Sequence, residues 1–476
     1  MTGYPTSLRF QDDYSPADKQ AFLLNTLMSL ASVPLSLFFG YSGLVLMPYV
    51  LYMVFKPRSI YLLPLIIILA YSSPLRIVFC AGCFLYVMFH ITELRRYKLL
   101  GAWLFYLCLA PFFIWYFHAR LKMPRFVGGV GELTSGFGTY FMMACAFWAA
   151  IGIKQLGRTF YSGILYWSLF QIVHMSLLGS GAMDDTAAAT RSGNILFCRQ
   201  SFLSIAIVCG SWLYCLLNKQ MRQTKFAFIS FVGVFLLGVD FLGLLRYKLT
   251  FTGLGLMLAT GFFVVMAKKF KRMCLHLNPM VFFAMSIAIV LYSDSLVEKY
   301  GGINANAGRY EDLQNTSIEA IFTKLQMKAI DDRASIWNIN LSSIRRQMKI
   351  DPIWIDVTPV AQGIIYLEDR GYQEVTTVMS PHNTMLYLLR NYGFYGGAGL
   401  YLLYLWFFCR KENRRILVNL SGSPVCVILA SCLAQGIVGG HTGHYPMILT
   451  FGPVLFSLMG ACWRNGYEMD RVMKCR

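Results

Sequence analysis

Long apolar runs recur along the whole chain, and they constrain its fold more than any other feature. Runs of roughly 15–25 residues alternate with short polar segments, and a helix of that length crosses the hydrocarbon core of a bilayer. Because backbone polar groups inside a bilayer must be satisfied within the segment, each run is predicted to be helical. The runs lie near residues 21–38, 41–55, 60–74, 76–92, 99–117, 135–153, 160–178, 195–217, 226–244, 249–267, 278–293, 384–408, 416–437 and 444–462.

The sequence therefore predicts an all-α polytopic membrane protein of about 14 transmembrane helices. The composition agrees, since 57% of the 476 residues are hydrophobic and only 14% are charged. The formal net charge of +19 does not indicate a nucleic-acid partner, because the basic residues concentrate in short segments between the apolar runs. The 13 cysteines lie in apolar runs or at predicted cytosolic ends, so we expect neither a disulfide framework nor a metal site.

Basic residues set the orientation of the predicted bundle. An even number of spans puts both termini on one side, and that side carries 24 of the 42 Lys and Arg residues. Short loops rich in Lys and Arg remain in the cytosol. The predicted divisions are a cytosolic tail (1–20), transmembrane helices 1–11 (21–293), a long periplasmic loop containing helices (294–383), transmembrane helices 12–14 (384–462) and a second cytosolic tail (463–476).

The polar stretch Asp294–Pro381 contains 88 residues, too many for a plain connection, and this length is typical of a functional element. Within it, DDRASIWNINLSSIRR predicts a helix with acidic residues at its start and arginines at its end. Trp337, Leu341 and Ile344 share one face of that helix, and Arg333 lies one turn before Trp337. Arg333 is expected either to point toward whatever packs on this face or to snorkel at the membrane surface.

A histidine follows this loop at the beginning of the next apolar run. In SPHNTM, Ser380 is predicted to cap a helix and Pro381 to occupy its first position. His382 would then lie in the first turn, where the positive end of the helix dipole disfavours an imidazolium. A neutral imidazole near pH 7 suits a general base. The alternative is an interfacial histidine that makes a structural hydrogen bond.

Cations cluster on the same predicted side of the membrane. Arg199 lies inside an apolar run, Arg246 and Lys248 follow another run at its outer end, and Arg191 ends an acidic loop. Cations at such positions are costly and mark either an anionic ligand or an ion pair. Because Arg binds phosphate oxygens in a bidentate fork, the cluster suits a substrate that bears a diphosphate. Pairing with nearby aspartates is the alternative.

The pattern around the histidine resembles that of a known family. His382–Asn383, nine residues, Gly393, two residues and Gly396 resemble the histidine motif of the O-antigen ligase and O-antigen polymerase superfamily. The position of this motif after one long loop is similar as well. The resemblance covers roughly residues 180–400.

Arginine positions extend the resemblance. Arg333 with Trp337 resembles the arginine–tryptophan pair of the family's loop helix, and Arg191 with the Ser-Gly after it resembles the family's Arg-x-Gly segment. Arg246 holds the place of the arginine that opens a later span. The chain departs from the family around Arg199, where Cys-Arg-Gln stands in place of Asn-Pro-Asn, so Arg199 is expected to share the role of Arg191.

The resemblance implies a GT-C-like glycosyltransferase with its active site at the periplasmic face of the bacterial inner membrane. The donor would be an oligosaccharide on undecaprenyl diphosphate, and an acceptor sugar hydroxyl would attack its anomeric carbon. His382 would deprotonate or orient that hydroxyl, while Arg246 and Arg333, with Arg191 and Arg199, would hold the leaving diphosphate. Because arginines would supply the charge, neither a metal nor another cofactor is expected.

Further residues are candidates for substrate binding. They are Lys248, Asn383, Trp337, His441 and His444. The partners that the resemblance implies are the lipid-linked oligosaccharide, as donor and as acceptor, and the lipid bilayer. Candidate protein partners are a chain-length regulator and a flippase, and no nucleic acid is expected.

Three functions stay open at this point. A polymerase of O-antigen, capsule or exopolysaccharide would transfer the growing glycan onto a new lipid-linked repeat unit, and the high span count favours it. An O-antigen ligase would transfer finished glycan onto lipid A–core instead. A polysaccharide transporter or lipid flippase would also carry arginines in its membrane region, but transporters show internal repeats and the sequence has no visible repeat.

Overall fold

The computed structural model describes part of the chain. The described residues are 14–38, 44–71, 73–95, 145–146, 149–150, 152–153, 156–178, 194–218, 224–241, 257–258, 260–262, 264–265, 340–341, 344–345, 363–367, 371–375, 383, 385–386, 389, 398, 402, 416, 420, 423–438 and 452–474. Structural statements below refer to these residues.

The four helices of the N-terminal part are α1 (Pro16–Phe38), α2 (Met47–Phe55), α3 (Ser59–Tyr71) and α4 (Ser73–Arg95). Each overlaps an apolar run predicted to be helical. Helix α1 begins at a capping residue, since the backbone N–H of Asp18 donates to Oγ of Ser15 at 3.1 Å. These positions confirm the predicted helices in this part of the chain.

The later helices are α5 (Arg158–Leu178), α6 (Asn194–Leu217), α7 (Lys225–Phe241), α8 (Val425–Val438) and α9 (Gly452–Lys474). They also overlap predicted apolar runs. Helix α9 continues well past the predicted end of its span, and Trp463 and Arg464 in the predicted cytosolic tail are buried. The predicted all-α class is thus confirmed for most of what the structure describes.

The predicted number of spans is tested less directly. By length and composition, one helix in the described ranges could cross a bilayer, Leu75–Leu94 with a mean hydropathy of 1.8. Other apolar helices there are shorter, among them Ser59–Leu69 and Lys225–Val239. At 1.5 Å per residue, a helix needs about 20 residues to cross a core of about 30 Å. The count of about 14 spans therefore stays a prediction.

The long polar segment contains strands in addition to the helical part that the sequence predicts. Residues 340–341 and 344–345 are helical, as the sequence predicts. However, Gly363–Leu367 and Gly371–Val375 form an antiparallel hairpin in which Leu367 is opposite Gly371. The physical reason is local, because β-branched and aromatic residues in GIIYL and GYQEV favour strands and the short polar link between them favours a hairpin.

Glycines allow the helices to approach closely. A Cβ at Gly163 of α5 would lie 2.7 Å from Leu63 of α3 and 2.8 Å from Phe22 of α1. The corresponding atom at Gly233 of α7 would overlap Val208 of α6. Small residues at helix crossings are typical of membrane bundles, where close backbone approach stabilises packing.

The contacts at Gly163 also define one end of the bundle. Gly163, Leu63 and Phe22 each lie within the first two turns of their helix, so the N-terminal ends of α1, α3 and α5 lie together. The guanidinium of Arg158 lies 5.5 Å from the ring centroid of Phe226, which adds the N-terminal end of α7. We call these four helix ends the basal end. In the predicted topology they all face the cytosol.

Candidate functional site

Most of the predicted site residues lie outside the described residues. They are His382, Arg246, Arg333, Arg191, Lys248, Trp337, His441 and His444. The backbone of Arg199 lies in the second turn of α6, at the end opposite the basal end. Asn383 is the one predicted site residue whose side chain is described. The proximity of the arginines to the histidine therefore stays a prediction.

Asn383 caps a helix. Its side-chain oxygen Oδ1 accepts a hydrogen bond from the backbone N–H of Leu386 at 3.1 Å, which is the pattern of an N-cap residue bonding to the third residue of its helix. Asn383 itself lies in a bend, while Met385, Leu386 and Leu389 are helical. The predicted helix start at Ser380 and Pro381 is therefore wrong, because the amide side chain of Asn383 satisfies the first turn three residues later.

The cap at Asn383 changes the position expected for His382 relative to the helix start. The residue is predicted to lie in the first helical turn, but it immediately precedes the capping residue instead. His382 itself lies outside the described residues, so its place beside the positive end of the helix stays a prediction. A neutral imidazole remains the expected state.

The start of this helix is buried. Asn383 is 1% exposed and Leu386 is fully buried, while Met385 packs against the apolar core. Water cannot reach the N–H of Leu386 as it reaches helix ends at a surface, so the capping oxygen satisfies a donor that would otherwise be costly. The geometry of the helix start thus depends on the Asn383 side chain.

The predicted loop helix has the burial pattern that the sequence predicts where it is described. Ile344, on the apolar face, is 4% exposed, whereas its neighbour Arg345 is exposed. Asn340 is also buried, one turn before Ile344. One face of this segment is therefore buried, and the neighbouring Arg345 is exposed.

Buried arginines include one that sequence reasoning passed over. Arg76 is fully buried in the first turn of α4, at its end opposite the basal end, and it interacts within the protein. In the sequence it is the first residue of the predicted run 76–92, at the outer end of that run. The available signal is its position directly after a Ser-Ser-Pro-Leu segment and ahead of an apolar run.

Arg464 is the second buried arginine. It is 4% exposed and pairs with Glu468 one turn later, with 2.6 Å between Nη2 and Oε1. Burial lowers the pKa of Arg464 from its ordinary value, and the carboxylate of Glu468 opposes that shift. The pair lies in the predicted cytosolic tail and joins successive turns of α9.

His90 of α4 differs from His382 in its surroundings. Its ring stacks on Tyr86 with 4.2 Å between centroids, and its Nδ1 lies 3.0 Å from the carbonyl oxygen of Tyr86. The backbone at His90 also leaves helical geometry, with φ −113° and ψ 17°. His90 is therefore a packing residue of α4.

A cavity near the basal end is too small for a sugar. It is lined mainly by apolar residues, with Arg58, Tyr61 and Ser457 as polar members, and its volume of about 20 Å³ holds about one water molecule. In the predicted topology it lies toward the cytosol, away from His382.

Metal ligands do not assemble in the described ranges, where no three His, Cys, Asp or Glu side chains lie close enough to hold an ion. The cysteines there are free, and most of them are buried among apolar side chains. They act as small apolar residues in the helix packing.

Comparison with family models, with curated proteins and with solved structures finds no match to this chain.

Proposed function

We propose that the protein is a membrane glycosyltransferase of the O-antigen ligase and polymerase type. In this proposal it polymerises oligosaccharide repeat units carried on undecaprenyl diphosphate, at the periplasmic face of a bacterial inner membrane. About 14 spans carry the site, and both termini lie in the cytosol. The polymer is O-antigen, capsule or exopolysaccharide.

The observation that carries the proposal is the cap at Asn383. A buried N-cap one residue after His382 supports a fixed histidine at the head of a helix, beside its free N–H groups. A general base needs such a defined position, because proton transfer requires hydrogen-bond reach to the acceptor hydroxyl.

The surface of the bundle supports a membrane environment. Large apolar side chains are exposed on several helices, including Leu24 of α1, Phe89 of α4 and Phe228 of α7, which are 60%, 73% and 69% exposed. Soluble monomers rarely expose such side chains over so many elements. A bilayer would cover them all.

The chemistry follows from the residue types. The acceptor hydroxyl loses its proton to Nε2 or Nδ1 of neutral His382 as its oxygen bonds to the anomeric carbon of the donor. The bond from that carbon to the diphosphate oxygen breaks, and the lipid diphosphate leaves with the electron pair. Arg246 and Arg333, with Arg191 and Arg199, stabilise the charge that develops on the diphosphate.

The test uses purified protein in nanodiscs with a lipid-diphosphate-linked repeat unit and no metal or nucleotide. Products are separated on a gel beside those of His382→Ala. A ladder of lengthening glycans from the wild type, absent from the variant, is the expected result. A wild type that leaves a verified repeat unit unchanged contradicts the polymerase.

The same preparation separates the alternatives. If added lipid A–core becomes glycosylated where no ladder forms, the protein is a ligase. If neither acceptor reacts but the lipid-linked glycan crosses a proteoliposome membrane, it is a transporter. An Arg→Lys change at position 246 or 333 that keeps full activity contradicts the diphosphate role of that residue, since Lys lacks the bidentate fork.

A further inference from the structure

The corner between α2 and α3 at the basal end carries cations and aromatic rings that the proposed chemistry does not use. We propose that this corner binds the headgroup of an anionic phospholipid. We call it the basal lipid site and define it by Tyr52, Lys56, Arg58 and Tyr61. The inference requires that the protein lies in a bilayer, and it does not depend on glycosyl transfer.

Contacts from two helices hold the lysine of this site. Lys56 directly follows α2 and is exposed, and its Nζ lies 4.8 Å from the ring centroid of Tyr52. Tyr52 in turn packs edge-on against Tyr61 of α3, with 5.7 Å between the two ring centroids. An ammonium is attracted to the face of an aromatic ring. These contacts therefore restrict where the ammonium lies and keep it at the surface of the corner.

Arg58 supplies the second cation of the site. Its side chain is 65% exposed, and its Nη1 lies 3.6 Å from Oδ1 of Asp18. An exposed ion pair at that distance contributes little, and a guanidinium carries five N–H donors. Arginine also donates to two phosphate oxygens at once through its planar fork. A phosphate diester can thus bind Arg58 while Asp18 keeps its contact.

The charge of the corner selects the kind of headgroup. Among the described residues there, Lys19, Lys56 and Arg58 are exposed cations, and Asp18 is the carboxylate that accompanies them. In the predicted topology the basal end faces the cytosol, and the cytoplasmic leaflet carries anionic lipids that attract basic residues beside the membrane. The net positive charge therefore favours an anionic headgroup over a zwitterionic one.

An exposed apolar face adjoins the cations and favours a lipid over a free anion. Pro48, Tyr52 and Phe55 are exposed and recur at helical spacing along α2, and Lys56 ends this face at the basal side. The basal cavity beside Arg58, at about 20 Å³, is too small for an acyl chain. We therefore place the acyl chains along the outer face of α2 and the phosphate at the two cations.

The first experiment titrates the purified protein in nonionic detergent with dihexanoyl phosphatidylglycerol. The rise in melting temperature with lipid concentration gives an apparent Kd. Because each cation near an anionic lipid surface strengthens binding roughly fivefold, we expect the combined change Lys56→Gln and Arg58→Gln to raise this Kd roughly 25-fold. Lys225→Gln is the matched control, since it removes an exposed basal cation of α7, and it should leave the Kd nearly unchanged.

Three results overturn the inference. If dihexanoyl phosphatidylcholine raises the melting temperature as much as phosphatidylglycerol does, the corner does not recognise charge. If inorganic phosphate at the same concentration produces the same rise, the ligand is a free anion and not a lipid. If Lys225→Gln weakens binding as much as the combined variant, the overall charge of the protein is responsible and not this corner.

A second measurement needs no variant, so it stands even where the combined variant fails to fold. The unmodified protein is placed in nanodiscs that contain phosphatidylglycerol with a photoreactive group near its phosphate, and mass spectrometry identifies the crosslinked peptides. We expect crosslinks within residues 47–61, reduced by excess unlabelled phosphatidylglycerol and not by phosphatidylcholine. Crosslinks confined to other parts of the chain overturn the inference.

Discussion

Two helix starts in this protein use the same hydrogen bond in different surroundings. At the start of α1, Oγ of Ser15 accepts the N–H of Asp18 at 3.1 Å, and that bond is exposed. Oδ1 of Asn383 accepts the N–H of Leu386 at the same distance, but that bond is buried. Water can replace the first acceptor and cannot replace the second. The two bonds have the same chemistry, but we expect loss of the buried one to cost more stability, because water cannot replace its acceptor.

The largest expected effect is a loss of polymer formation, and it distinguishes His382 from His90. His382→Ala should lower polymer formation roughly 10²–10⁴-fold, the range for removing a general base, without lowering the amount of inserted protein. His90→Ala is the control, because His90 stacks on Tyr86 inside α4. It should cost stability and leave activity per folded molecule unchanged. Gel analysis of products from equal amounts of each variant measures both effects, and an active His382→Ala would remove the proposed base.

The next largest effect compares an ion pair whose arginine is buried with a pair whose arginine is exposed. Glu468→Gln removes the partner of Arg464, which is 4% exposed, and should lower the free energy of unfolding by about 1.5–3 kcal/mol. Arg58→Gln removes an exposed pair, in which Nη1 lies 3.6 Å from Oδ1 of Asp18, and should change it by less than about 0.5 kcal/mol. Unfolding in detergent measures both, and equal losses would contradict the role of burial.

Loss of each of the two helix caps gives a smaller expected difference in stability. Asn383→Ala leaves a buried N–H without its acceptor and should cost about 2 kcal/mol of stability. Ser15→Ala exposes its N–H to water and should cost about 0.5–1 kcal/mol. Thermal unfolding of the two variants under one condition tests the comparison directly. A larger loss from Ser15→Ala would show that the buried cap is dispensable.

Replacing two glycines of α7 with alanine gives the smallest expected changes in stability, and the two changes have opposite signs. Ala at position 233 overlaps Val208, so Gly233→Ala should destabilise by about 1 kcal/mol after the gain in helix propensity. No atom lies within 4 Å of a Cβ at Gly238, so Gly238→Ala should stabilise by about 0.5–1 kcal/mol. Melting temperatures of the pair provide the measurement. A stabilising Gly233→Ala would mean that α6 and α7 can separate without cost.

The candidate site was predictable only in part. The His-Asn pair stands out because it follows a long polar segment and opens an apolar run. Residues 385–386 and 389 after it are helical, as predicted. The helix cap is Asn383, three residues later than the Ser380 cap that the Ser-Pro pair indicates. Serine, proline and asparagine all favour helix starts. Only the packing of Leu386 decides among them, because it requires a buried acceptor at that point.

The fold shows the same division. The sequence by itself determined which apolar runs form α1–α8 and the first half of α9, because an apolar run must satisfy its own backbone hydrogen bonds wherever water is excluded. It also determined the polar residues available for chemistry. The tertiary structure alone decided that Arg76 and Arg464 are buried, that His90 stacks on Tyr86 and that Gly233 contacts Val208. The physical reason is that burial depends on which distant segments meet, and sequence periodicity describes only one segment at a time.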